Sequence, residues 1–309
     1  NQSSGNNDWV ASFGSDNATN STLNIARKSP GTNSDEYFQY DGVNNNYGPV
    51  ITGQTWTILT QTQNSSAPYH GMWLDGAVQV VDDLTSGALS ANTDFRIADW
   101  ADSPGASYML AGKIPEVILF NKILNTAEMY IVHSYLGAKY NIANSNDRYA
   151  GDNPGNGDND HDVIGLGTES DGSNSVAHGG GIELTASSGF ENGDYLMAGH
   201  GVKTNSLNTT DVGGGYAARW DRAFWFDVTD ASTTLEIDLI FDISKGGLGG
   251  VANGTASNYK LVYRAGISGS WTTIASAAGY TNDRIEFENI TPTADGFYTL
   301  ATIDESGSP

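Results

Sequence analysis

The chain has 309 residues and a formal charge of −22, with 14 Lys+Arg against 36 Asp+Glu, 38 Gly and no Cys. A chain this acidic repels phosphate backbones, which argues against nucleic acid as a partner. The lack of Cys excludes disulfide scaffolds, thiol nucleophiles, Fe–S clusters and thiolate zinc sites, and no apolar run approaches the roughly 18 residues of a membrane span.

Only 16% of residues are charged, so the acidity reflects a shortage of Lys and Arg more than an excess of acid. With 10 Phe, 15 Tyr and 7 Trp the chain can anchor a core, and its length suits about two domains. The first seven residues, Asn-Gln-Ser-Ser-Gly-Asn-Asn, carry no basic or apolar leader and no Met, which reads as a mature chain or an internal piece of a longer one. The composition, with 28 Asn, suits a secreted or surface-exposed protein. Sequons at Asn17, Asn20, Asn64, Asn208, Asn253 and Asn289 are expected by chance in such a chain.

Residues 56–62 are strand-like. Residues 72–74 and 77–81 flank Asp75-Gly76, a pair suited to the type I′ hairpin turn. Residues 113–120 read as an apolar strand. One helix follows, capped by Asn125 with Glu128 three residues later. Ala127, Ile131, Tyr135 and Ala138 form one stripe, and the helix is expected to end near Tyr140-Asn141. Residues 150–162 are Gly, Asn and Asp with almost nothing apolar, and the domain boundary is placed there: a first domain over 1–148, a second over 149–303 and a linker over 304–309. In the second domain strand-like runs recur at 163–166, 181–185, 195–198, 223–228, 235–243, 259–264, 271–274, 284–287 and 297–301. The run 235–243 alternates cleanly, with Leu235, Ile237, Leu239, Phe241 and Ile243 on one face. Short strands separated by turn residues predict an all-β chain with a β-sandwich.

Lys113-Ile-Pro-Glu-Val-Ile-Leu-Phe-Asn-Lys-Ile-Leu-Asn-Thr-Ala-Glu128 resembles the last strand and following helix of a LamG-type, concanavalin A-like jelly roll. Ser134-Tyr-Leu-Gly-Ala-Lys-Tyr140 is similar to the version found in large surface proteins of Bacteroidota, where a second β-rich domain commonly follows. Residues 162–167, 192–200, Arg219, Arg222 and Trp225, and 295–301 are similar to recurring segments of that second domain. The resemblance implies a LamG-like jelly roll with one C-terminal helix, then a second β-sandwich, in a large secreted protein tied to adhesion or polysaccharide contact. A LamG-type domain opens with strands before the one that residues 9–14 resemble. Their absence here implies a first sandwich cut by processing, only partly seen, or completed by another segment. An open sheet edge is also a route to assembly by strand addition.

Glu236-Ile237-Asp238 comes near the Glu-x-Asp-x-(x)-Glu strand of jelly-roll glucanases, in which alternation places the acids on one face. Ile240 and Phe241 occupy the two places where the third acid would stand, so a polar outer sheet face is the preferred reading. There is no Gly-x-Ser-x-Gly elbow. The five His, at 70, 133, 161, 178 and 200, lack paired metal spacing; His133 reads as packing or surface and His200 as a structural hydrogen bond. Calcium is the cofactor best suited to the acidic loop, through Asp152, Asp158, Asp160 and Asp162, because alternate carboxylates supply hard oxygen ligands. Glu169 falls twelfth from Asp158, but Val163 stands where an EF-hand needs Gly. The alternative is a solvated acidic loop. Asp94, Asp99 and Asp102 form a weaker cluster around Trp100. Tyr47, Tyr69, Trp73 and Trp100 are the candidate sugar platform, each of which also suits a core. Arg219 and Arg222 are expected to pair with acidic neighbours. The expected function is a non-enzymatic module of a secreted cell-surface protein, contacting glycans, other surface proteins or neighbouring subunits. A carbohydrate-binding module attached to a polysaccharide-degrading enzyme and a degenerate glycoside hydrolase are the alternatives.

Overall fold

The computed structural model describes residues 8–13, 23–27, 36–40, 45–50, 55–64, 70–82, 95–99, 110, 112–201, 206–229, 235–246, 255–292 and 294–303. The described residues form β-sheets and one α-helix, an all-β architecture. The chain divides into two compact units, Asn1–Ile123 and Leu124–Pro309.

In the first unit the described strands are β1 (Asp8–Phe13), β2 (Leu23–Arg27), β3 (Glu36–Tyr40), β4 (Asn45–Val50), β5 (Leu59–Gln63), β6 (His70–Leu74), β7 (Ala77–Asp82) and β8 (Phe95–Ile97). One antiparallel sheet runs β4-β3-β2-β1-β8 and another β5-β6-β7. The expected hairpin forms, with Leu74 opposite Ala77. Asp75 and Gly76 both take positive φ, at 47° and 77°, the twist that a two-residue hairpin turn needs. Asp75 also accepts the Ile58 amide at 2.7 Å, tying the turn to the chain before β5. Residues 113–120, expected as a strand, lie outside every described strand. Apolar content favours an extended segment, but a strand exists only where a neighbour completes its hydrogen bonds.

The second unit opens with α1 (Thr126–Tyr140). Its strands are β9 (His161–Glu169), β10 (Gly172–Asn174), β11 (Val176–Gly179), β12 (Ile182–Ser188), β13 (Tyr195–His200), β14 (Leu207–Asn208), β15 (Ala218–Trp220), β16 (Phe224–Thr229), β17 (Glu236–Asp242), β18 (Tyr259–Arg264), β19 (Thr272–Ser276), β20 (Gly279–Thr281), β21 (Arg284–Ile290) and β22 (Gly296–Thr302). The larger sheet runs β10-β9-β13-β16-β22-β15-β14, with β18 joined to β22 and β19. The smaller runs β11-β12-β17-β21-β20. Alternation along β17 sends Ile237, Leu239 and Phe241 inward, where they meet Ile182, Leu184, Ile285 and Phe287 of the same sheet and Leu166, Leu196, Phe224, Phe226, Leu261, Tyr298 and Leu300 of the larger one. This is a β-sandwich core.

The larger sheet is covered on its other face as well. Val163, Met197, Trp225, Val262, Phe297 and Ala301 form a second core with Ala138, Tyr149 and Trp271, against which Ile131 and Tyr135 of α1 also pack. Burial on both faces explains why β13 and β22 are buried along their whole lengths. The helix is anchored at its start. Asn125 accepts the Glu128 amide at 2.9 Å and Glu128 accepts the Asn125 amide at 3.2 Å, the expected capping box. Asp171, in the β9–β10 turn, accepts both the Thr126 amide and its hydroxyl. Asn141, at φ 52°, ends the helix where the sequence places its end. The composition break at residues 150–162 places this helix with the first domain; in the structure it packs within the second unit.

The β11–β12 turn is Gly180-Gly181, at φ 62° and 98°. A Cβ on Gly181 would lie 2.6 Å from the Gly246 backbone and 2.8 Å from the Trp220 ring. Gly181→Ala therefore meets both an unfavourable φ and overpacking, and is expected to cost about 2–4 kcal/mol in urea unfolding. An unchanged midpoint would show that the turn can shift off Trp220.

Candidate functional site

The two acids that come nearest to a glycosidase motif are engaged in structural bonds. Glu236 accepts the Ser188 hydroxyl at 2.7 Å, and Asp238 accepts the Asn289 amide at 2.9 Å. Ile240 stands between them and Asp242 on the same face.

At the end of that strand lies a cleft of about 210 Å³, lined by His178, Gly179, Gly180, Gly181, Ile182, Glu183, Asp242 and Lys245. Arg284 reaches Glu183 through both guanidinium nitrogens, at 2.5 and 2.7 Å, and Asp242 at 3.4 Å. Lys245 bridges the same two carboxylates at 3.2 and 3.5 Å. The Arg284 hydrogen bonds, outweighing burial, hold the Glu183 carboxyl at about 2. Burial pushes Asp242 up, but the Lys245 amide, the Ser244 hydroxyl and the Lys245 ammonium outweigh it and keep it below the usual carboxylate range. Both acids are thus ionised at neutral pH. A glycosidase needs one of its pair protonated, with a raised pKa. The four charges cancel, which makes the cluster a brace between β12, β17 and β21.

The acidic loop is organised around an amide. Asn159 is buried; its side chain donates to the carbonyls of Gly151 and Asn156, and its own carbonyl accepts the Tyr149 hydroxyl at 2.6 Å. Two of the four candidate calcium ligands are paired with histidines. Asp162 meets His200 at 3.0 Å, and Asp160 meets His161 at 2.5 Å. Asp152 is pushed up to about 6 by burial and by Asp147, Asp158 and Asp160. Asp227 on β16 is pushed to about 6 by burial first, then by Asp295, Asp147 and Asp152, against the Ala150 amide that it accepts. Among the described residues no group of three or more His, Asp or Glu is placed to hold a metal ion. His200 is fully enclosed, with its second nitrogen 2.9 Å from the Gly201 carbonyl, a structural hydrogen bond as expected. Burial, countered by Asp162, lowers its pKa.

Carboxylates raised in the folded state contribute stability that is complete below the unfolded pKa, near 3.8, and lost as pH rises through about 6. At pH 7 the charge on Asp152 is therefore a net cost. Asp152→Asn is expected to raise stability at pH 7 by about 1 kcal/mol, after allowance for solvent screening, and to change little at pH 4. Equal effects at the two pH values would contradict the repulsion.

Arg219 donates to Asp211 at its carboxylate and its carbonyl, 2.9 and 2.6 Å, and to the carbonyls of Trp220 and Asp221. Arg264 shares the Asp211 carboxylate at 2.9 Å. The guanidinium groups of Arg219 and Arg264 lie 5.0 and 4.3 Å from the ring centre of Trp271. Arg222 lies over Trp220 and donates to the Gly180 carbonyl. The expected pairing with acidic neighbours holds for Arg219.

Of the sugar-platform aromatics, Trp73 is half-buried on β6, its ring lying over Gly71, and Tyr47 is on β4 opposite Phe38. Tyr69 and Trp100 lie outside the described residues, as do Asp94 and Asp102. Asp99 pairs with Arg96 at 3.7 Å.

No family model, curated protein or solved structure matches this chain.

The local geometry is that of a braced scaffold. Sequence reasoning missed Glu183, Arg284, Asn159 and Tyr149. The β12–β17–β21 register, which sets Glu183 and Glu286 on either side of Ile240 and Arg284 opposite Asp242, is the signal that joins the first two. A single Asn among many gives no signal of its own. No helix among the described residues is long and apolar enough to cross a membrane.

Proposed function

We propose that the chain is a non-enzymatic module of a large secreted cell-surface protein, acting in adhesion or as an appendage component through glycan or protein contacts. On this reading the first unit is a LamG-like jelly roll; its support is the sequence resemblance over residues 113–128, of which 113–120 form no described strand and 124–128 belong to the second unit. The observation that carries the non-enzymatic reading is the clamping of Glu183 and Asp242 by Arg284 and Lys245, which leaves the acids of this cleft ionised and engaged. Placing the intact chain on a glycan panel and on a panel of surface proteins tests the contact. Saturable binding to either supports the proposal, and binding to neither defeats it. The calcium expectation is tested by melting in calcium and in EGTA. Binding to the native state must raise the midpoint, so an unchanged midpoint removes calcium.

A further inference from the structure

We draw no further inference here: the strongest candidate, the exposed apolar run of residues 117–120 at the end of the first unit, lies outside every described strand, and nothing in the structure shows what covers it.

Discussion

A chain of residues 149–309 is expected to fail to fold cooperatively, while a chain of residues 124–309 is expected to melt in one sharp transition. The difference is α1. Without it the core on the outer face of the larger sheet loses Ile131, Tyr135 and Ala138, and β9 loses the element that packs on it. Gly165 shows how close that cover is, since a Cβ there would come within 3.2 Å of Ile131 and 2.2 Å of the Met197 sulfur. Asp171 would lose both the amide and the hydroxyl of Thr126. Exposing several large apolar side chains at roughly 1.5–3 kcal/mol each exceeds the stability of most domains. Far-UV and near-UV circular dichroism with dye binding reads the outcome: the shorter chain should keep strand signal, lose aromatic signal and bind dye. Equal midpoints for the two chains would mean that the helix is dispensable to the second unit.

Arg219→Ala is expected to destabilise the protein by about 2–4 kcal/mol, from the lost charged hydrogen bonds and the lost contact with the Trp271 ring. The side chain is 5% exposed, and its loss strips the Asp211 carbonyl of a donor and removes one of the two guanidinium groups over the Trp271 ring. Arg219→Lys keeps the charge but lacks the planar fork, so it should recover no more than about half of the loss. Asp211→Asn should cost less, because that carboxylate is 45% exposed and an amide oxygen can still accept. Urea unfolding of the three variants checks the order. A loss below about 1 kcal/mol for Arg219→Ala would mean that its bonds to Asp211 and its contact with Trp271 add little.

The second unit was largely legible in its sequence, because period-two alternation decides which face of a strand is buried. The run Leu235–Ile243 is the clearest case, and β17 (Glu236–Asp242) forms within it. The helix ends were legible because caps are local chemistry, with Asn125 and Glu128 three residues apart and Asn141 able to take positive φ. What the helix packs on was not legible. An amphipathic stripe says that a face is buried, not against which sheet, and the Gly- and Asn-rich stretch after it read as a boundary. In the structure that stretch is the loop closed by Asn159, tied to both Gly151 and Asn156. How the acidic run is arranged was not legible either, because positive φ at Asp158 and Asp162 turns the chain between them. Arg284 and Glu183, 101 residues apart, meet only through strand register.

The proposal that this chain makes contacts and performs no hydrolysis has a direct measurement. The intact protein is incubated with a panel of polysaccharides, and new reducing ends are counted beside parallel samples of Glu183→Gln and Glu236→Gln. With Glu183 held near 2 and Glu236 bonded to Ser188, the account predicts no reducing ends above the enzyme-free blank in any of the three. Reducing ends released by the natural sequence and abolished by either substitution would contradict it.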